Sequence, residues 1–388
     1  MNKKLLAGIA AFSVIALSVP TVGPANAAGG TILLGGIAGT TGAYGSTGQA
    51  VINGTLMAID DINNAGGVLG KKLALKWHDD GASATTSAQL YKQYVSAGAV
   101  AIMGSPDTGP TTAAMSSQYK VPAVGAVDDG GITVYPNGPN KPPFPYAWST
   151  SLNTFAWGKA IGTYALANCK GLAVLHDPSS YGMGGLAGIM LAYDAAKKKL
   201  ALDDAITENW STGATVALQS EVKKIQDAGA DCVDVWLTPQ DQAAFMQVAK
   251  SVGAKFTFFG NDETDADATF SGLAKADGNG MISALLTTEV HPTAKLTAWQ
   301  ARYKARFHVD ATPFAELSYD AVGIVAQAIK AGKSTSASSL KTQLNKITNF
   351  PGLTGSLTFT AQQHTTINAS QLTLVKYDSA KDAWVPLS

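Results

Sequence analysis

The chain has 388 residues, 46% hydrophobic and 14% charged, with 28 basic residues balanced by 28 acidic ones. Zero formal net charge offers no basic face for nucleic acid or an anionic membrane surface. The hydrophobic share excludes an intrinsically disordered chain, and the length exceeds what one compact core holds, so two domains are expected.

The first residues read as an export leader. Lys3 and Lys4 form a short positive segment, Leu5 to Val19 is apolar and uncharged, and Pro20, Gly23 and Pro24 interrupt it. Ala25-Asn26-Ala27 then has the small-x-small form of a cleavage site. The run is shorter than the about 20 apolar residues of a membrane span. Residues 1–27 are therefore expected to be a signal peptide, and the mature chain a soluble periplasmic or secreted protein.

After the leader, β-like runs alternate with amphipathic helical ones. Strands are expected at Thr31–Ile37, Lys72–His78, Val100–Gly104 and Pro122–Val127, with helices at Gln49–Asn64, Ser87–Ala97 and Thr111–Tyr119 between them. Five prolines from Pro136 to Pro145 mark a loop, and a short strand at Tyr146–Ser149 leads onward. The alternation then restarts. Strands are expected at Gly171–His176, Ala205–Trp210, Cys232–Leu237, Phe256–Gly260 and Met281–Leu285. Helices are expected at Gly184–Lys199, Ala214–Ala228, Gln240–Val252 and Ala294–Phe307. Two further helices, Phe314–Ala331 and Ser336–Ile347, precede a tail with strands at Gly355–Phe359 and Leu372–Tyr377. Such βα alternation predicts an α/β fold of two Rossmann-like lobes with parallel sheets covered on both faces. Ligands of open parallel sheets bind beyond the carboxyl ends of the strands, so the residues after each strand are the candidates.

At those strand ends the sequence resembles a known family. IAGTTGAYGSTGQAVINGTLMAIDD (37–61) continues INNAGGVLGKKL, HDPSSYGMG occupies 176–184, and SYDAV occupies 318–322. This ordered set resembles the type I periplasmic binding proteins, in their leucine/isoleucine/valine-binding branch. The resemblance implies two lobes joined by three crossovers, near Trp148–Ser151, Leu286–Glu289 and Leu353–Ser356. Residues 28–149 with 288–354 would form the first lobe, and 150–287 with 355–388 the second. It also implies a monomer without cofactor or catalytic activity. Such a protein captures an amino acid or similar solute between the lobes and hands it to the permease of an ABC importer; a ligand-sensing binding protein for a non-amino-acid polar or cationic solute, or a periplasmic enzyme, is the alternative.

The same resemblance implies site residues. Tyr44 in the first βα loop and Tyr181 of the YG pair would line the cleft; packing of a glycine-rich loop and a surface turn are the alternatives. Thr108 would offer its hydroxyl to a ligand carboxylate, or act as a helix N-cap. Asp262 would pair with a ligand ammonium, or be a solvated loop acid. Thr238 follows a strand end that family members use for contacts. Asp128 and Asp129 stand where the family has a small hydroxylic pair. Two carboxylates there would repel a ligand carboxylate, which favours an uncharged, hydroxyl-rich or cationic solute; alternatively one of them caps a local turn. The two arginines, Arg302 and Arg306, share one expected helix, so an anionic ligand has few bidentate partners.

Enzyme signatures are not found. GGVLGKK lacks phosphate-loop spacing, the five His form no H-E-x-x-H, and no Ser sits in G-x-S-x-G. His78-Asp79-Asp80 alternate faces of a strand and cannot converge on one ion. Finally, Cys169 and Cys232 precede and open what should be neighbouring strands in a 2-1-3-4-5 order, so a disulfide is expected. Two buried thiols are the alternative.

Overall fold

The computed structural model describes residues 30–41, 45–104, 107–125, 130–151, 153–207, 215–261, 264 and 278–387. A first sheet consists of β1 (Thr31–Ala38), β2 (Lys72–Asp79), β3 (Ala101–Gly104), β4 (Ala123–Gly125) and β5 (Ala147–Ser149), all parallel, in the order β2-β1-β3-β4-β5. The connecting helices are α1 (Gly45–Asn64), α2 (Ala84–Ser96), α3 (Gly109–Tyr119) and the short α4 (Gly130–Val134). The chain then passes to α5 (Thr154–Asn168) and a second sheet. That sheet contains β6 (Leu172–His176), β7 (Leu202–Ala205), β8 (Cys232–Trp236), β9 (Thr257–Phe259) and β10 (Ile282–Leu286), with α6 (Ser180–Ala195), α7 (Thr215–Asp227) and α8 (Pro239–Ser251) between them. Its parallel part runs β7-β6-β8-β9-β10, the same doubly wound order as the first sheet.

β3, β4, β5, β6, β8 and β10 are buried along their whole length. This is why they read as short, nearly unbroken apolar runs. β7 is different. It is an edge strand whose residues alternate between half-buried and exposed, and it lies at Leu202–Ala205 instead of the expected Ala205–Trp210. Asp203 and Asp204 fall within it, as an edge strand tolerates and a central strand does not. Residues 208–210 lie outside the described residues. The helix α5 has no counterpart in the periodicity reading. Phe155, Ala156, Trp157, Ile161 and Ala165 are all buried in it, which leaves no clean polar face, and the Trp157 Nε1–H donates to the carbonyl of Ala284 at 2.8 Å.

After α9 (Thr287–Val290) the chain returns to the first sheet. α10 (Ala294–Phe307), α11 (Pro313–Gly332) and α12 (Ala337–Leu344) cover it. α11 packs so closely on α1 that a Cβ at Gly54 would lie 2.0 Å from the Ala315 carbonyl oxygen. Both arginines of α10 are engaged on α1, Arg302 with Asp61 and Arg306 with Asp60 at 2.7 Å. A two-stranded ribbon follows, β11 (Phe350–Pro351) with β12 (Ser356–Leu357), and Phe359 N–H donates to Ile347. The buried Asp320 carboxylate accepts hydrogen bonds from the N–H groups of Leu353 and Thr354 and from the Thr354 hydroxyl. These bonds fix Leu353–Ser356 against the first sheet's helices. Residues 364–371 form the third passage, leading into β13 (Leu372–Asp378) and β14 (Ala383–Pro386), which extend the second sheet antiparallel beyond β10.

The first and third passages run side by side. Ser149 N–H donates to the His364 carbonyl at 2.8 Å and Thr366 N–H to the Ser149 carbonyl at 3.1 Å. Asn153 Nδ2 reaches Thr365 Oγ1 and the Ile367 carbonyl. His364 itself is 2% exposed and stacks on Trp148 at 4.6 Å. Its Nδ1 faces the carbonyls of Phe144 and Ala147, and its Nε2 is buried without a partner among the described residues. Burial lowers its pKa to about 4. Between that value and the ~6.5 of an exposed imidazole, the unfolded chain binds the extra proton. The stability present above the unfolded value is thus lost as pH falls through the folded one. Urea unfolding at pH 7 and pH 4.5 should show the wild type losing about 2 kcal/mol more than His364→Gln across that interval.

Cys169, the C-cap of α5, is joined by a disulfide to Cys232, the first residue of β8, with Cα atoms 5.9 Å apart and 63 residues of separation. β6 and β8 are parallel neighbours with Leu172 opposite Cys232, which sets the two cysteines side by side. Closing a loop of this length restrains the unfolded chain by roughly 4 kcal/mol. The double variant Cys169→Ser/Cys232→Ser should lose most of that in denaturant unfolding, and the unreduced wild type should titrate with no free thiol.

Candidate functional site

The carboxyl ends of the parallel strands bring two groups of polar residues together. In the first sheet these are Asp79 and Asp80 at the end of β2 and Asp107 in the turn before α3. Asp79 accepts from the Thr40 and Gly81 N–H groups and from the Thr41 hydroxyl, and the Thr41 bond leads in holding its pKa below the usual carboxylate range. Asp80 is 3% exposed and takes a bond from the Thr108 hydroxyl at 2.7 Å, which also lies 2.8 Å from Ser87 Oγ. Asp107 lies over Gly39, where an added Cβ would meet its Oδ2 at 2.5 Å. That Oδ2 is buried and has no hydrogen-bond partner among the described residues. Burial first, then the charge of Asp80, raises its carboxyl to about 7. Three carboxyl groups thus meet at one strand edge, one of them with an unused acceptor.

In the second sheet the loop after β6 is tied down residue by residue. His176 is buried, with Nδ1 at 2.8 Å from the Asp177 carbonyl and Nε2 at 3.1 Å from Asp203. Asp177 N–H donates to the Trp236 carbonyl, and the Asp177 carboxylate accepts from the N–H and hydroxyl of Ser179. Ser179 caps α6 by accepting from Tyr181 N–H at 3.1 Å. Tyr181 is half-buried and meets the Trp236 ring edge-on at 5.4 Å. Trp236 is fully buried beneath the first turns of α6, where a Cβ at Gly185 would lie 1.9 Å from its ring. At the end of β9 the buried Asn261 donates to the carbonyls of Val235 and Leu237.

Of the residues singled out from sequence, the structure describes Thr108, Tyr181 and Thr238. Thr108 is 4% exposed, with its hydroxyl turned toward Asp80 and Ser87, and it makes no side-chain cap bond to α3. Thr238 is the N-cap of α8 and exchanges bonds with Asp241, accepting from its N–H at 3.3 Å and donating to its carboxylate at 2.9 Å. Tyr181 and Thr238 share the carboxyl edge of the second sheet, and Thr108 lies at that of the first. Tyr44, Asp128, Asp129 and Asp262 lie outside the described residues. Asp80, His176, Trp236 as a support for Tyr181, and Asn261 are not among the residues that the sequence singles out. Their common signal is present there, since each ends or directly follows a parallel strand.

Among the described residues the one grouping with metal-ligand proximity is Cys169, Asp231 and Cys232, and both sulfurs are bonded to each other. No helix among the described residues is long and apolar enough to cross a membrane.

Two doubly wound sheets, linked by passages that run together and carrying polar residues at their strand ends, define a two-lobed α/β binding fold. The chain belongs to the periplasmic binding protein family, whose family model matches residues 31–382, and it has the fold of a type I member of that family. It is 28% identical to Leu/Ile/Val-binding protein homolog 3 of Brucella melitensis over 60% of either chain, and 24% identical to homolog 1 of Brucella abortus over 92% of either chain. Two solved structures share the fold. A branched-chain amino acid transporter substrate-binding protein from Streptococcus pneumoniae, in complex with isoleucine, gives a TM-score of 0.73 at 22% identity, covering 92% of this chain and 99% of that one. A solute-binding protein of an ABC transporter from R. palustris, in complex with 4-hydroxybenzoate, gives 0.74 at 15% identity, covering 92% and 96%.

The indole of Trp236 leaves no room for a side chain at position 185. Gly185→Ala should therefore lower stability by about 1–3 kcal/mol through overpacking, read from the midpoint of urea unfolding.

Proposed function

We propose that this chain is an exported, monomeric solute-binding protein. It captures a small polar molecule between its two lobes and presents it to the permease of an ABC importer, with no chemical step of its own. The family membership supports capture. Periplasmic binding proteins are a standard example of hinge closure around a ligand, so the motion is a property of the class. Residues 1–27 are the leader in this reading, and the last lobe boundary falls at the passage through 364–371.

The observation that carries the ligand class is the grouping of Asp79, Asp80 and Asp107 at the first lobe's strand ends. Isoleucine and 4-hydroxybenzoate, bound by the two fold relatives, each carry a carboxylate. In this chain a ligand carboxylate would meet the carboxyl groups of Asp79, Asp80 and Asp107, and Asp128 and Asp129, which follow β4 in sequence, would add to them. Neither arginine is available to compensate, since both are paired with α1. A solute that offers an ammonium or other donors to the first lobe fits instead, because it would satisfy the unused Oδ2 of Asp107. Tyr44 and Tyr181 would line the cleft, Thr108 would hold Asp80 in place behind it, and Thr238 and Asp262 would face it from the second lobe. The names of the Brucella relatives favour a second reading, an amino acid as ligand.

Calorimetric and thermal-shift titration with L-leucine, L-isoleucine, 4-hydroxybenzoate and a set of carboxylate-free amines and polyols separates the two. The donor-bearing, carboxylate-free solutes should bind, raising stability by about 2.7 kcal/mol at a hundredfold excess over Kd. Asp107→Asn and Tyr181→Ala should each weaken the best of them at least about tenfold, or 1.4 kcal/mol. Tight binding of L-leucine that is indifferent to Asp107→Asn would establish the amino-acid reading in its place.

A further inference from the structure

The second lobe contains one buried acid that solute capture, as proposed, does not use. Asp234 lies in the middle of β8 and is 0% exposed. Its strand partners in register are Val174 on β6 and Phe259 on β9, both apolar. Along its own strand, residues two apart share a face, so its neighbours are Cys232, tied in the disulfide, and Trp236. Its Oδ2 accepts the Trp236 Nε1–H at 3.0 Å, while Oδ1 has no hydrogen-bond partner among the described residues. From α6, the titratable group that senses it is Tyr193, itself a buried residue. No cation pairs with Asp234 among the described residues.

A fully buried carboxyl whose donors are the Trp236 Nε1–H and the Val235 backbone N–H is an expensive device for structure alone, since an apolar residue would fill the space at less desolvation cost. What it does fix is the plane of the Trp236 indole. That ring is clamped between the Asp234 bond on one side and the Gly185 backbone on the other, and Tyr181 rests against it. We propose that Asp234 is the positioning residue of the second lobe's ligand face, acting on Tyr181 through the orientation of Trp236. The proposal rests on the reading that Tyr181 contacts the solute.

A pH dependence follows from the geometry. Burial holds the Asp234 carboxyl up to about 7. Below that value the acid is neutral and the Nε1–H bond is made without a buried charge. Above it, an unpaired charge lies under Trp236, and the indole and Tyr181 shift together. His176, opposite Trp236 in register, Asp203 facing it and Asp177 in the loop itself are other titratable groups nearby, so the test has to separate Asp234 from them.

Fluorine NMR does so without any solute. 5-Fluorotryptophan labels Trp236, assigned by comparison with Trp236→Phe, and 4-fluorophenylalanine is placed at position 181 by site-specific incorporation. From pH 5.5 to 8.5 both resonances should move in one step with a common midpoint near 7. Asp234→Asn, whose amide oxygen still accepts from Nε1, should abolish the step in both and leave them near their low-pH positions. Asp234→Leu should displace both at every pH. A position-181 resonance that ignores the Trp236 step, or a step that survives in Asp234→Asn, would overturn the proposal. If Asp234→Leu does not fold, the Asn variant still decides. Because no solute is present, these outcomes are independent of whether Tyr181→Ala weakens solute binding, which tests the underlying reading.

Discussion

Everything polar in this molecule is governed by the burial of parallel strands on both faces. A strand covered by helices above and below has no solvated side, so hydrogen-bonding side chains have no cheap position along its length. They collect where the backbone emerges, at the strand ends. Asp107 in one sheet and His176, Trp236 and Asn261 in the other occupy that edge for this reason, while Asp79 and Asp80 end and follow the half-exposed edge strand β2. The shared 2-1-3-4-5 order then puts each set on a single rim.

The buried carboxyls show what departure from this rule requires. Asp320, 1% exposed, is satisfied by two backbone N–H groups and a hydroxyl, and it serves as an anchor for the segment that follows Pro351. Glu316, on the first turn of the same helix, has one donor, Gln300, and an Oε2 with no partner among the described residues, and burial lifts it to about 7. Asp234 accepts from Trp236 and Val235 and has an Oδ1 with no partner among the described residues. Burial raises all three carboxyls, Asp320 to about 6 and the other two to about 7, and the donors around Asp320 offset part of that burial.

Much of this architecture is legible in the amino-acid order. Continuous apolar runs bounded by glycine locate the buried strands, and strand order alone places Cys169 beside Cys232. What is not legible has identifiable causes. β7 lies away from its expected span because its two acids interrupt the apolar signal of an edge strand. The helix α5 escapes periodicity because its apolar residues surround it, and periodicity needs a polar face for contrast. At the site, Thr108 is recognisable as a strand-end hydroxyl, yet its partner Asp80 is 28 residues away and only the fold brings them together. The role of Trp236 under Tyr181 likewise depends on a ring contact between different strand ends. The Asp320 bonds to Leu353 and Thr354 also span more than thirty residues, and no local pattern announces them.

The interleaving of the chain also fixes an order of events in its making. The first sheet is complete by Ser149, but α11, which packs on α1, begins only at Pro313. The second sheet starts at Leu172 and gains its outer strands only with Leu372–Pro386. Neither core can close until nearly the whole polypeptide is present, so the contacts that stabilise each half are long-range and form late. A chain built this way ties each half to segments far away in sequence, so losing the residues from Leu372 onward would strip two strands from the second sheet.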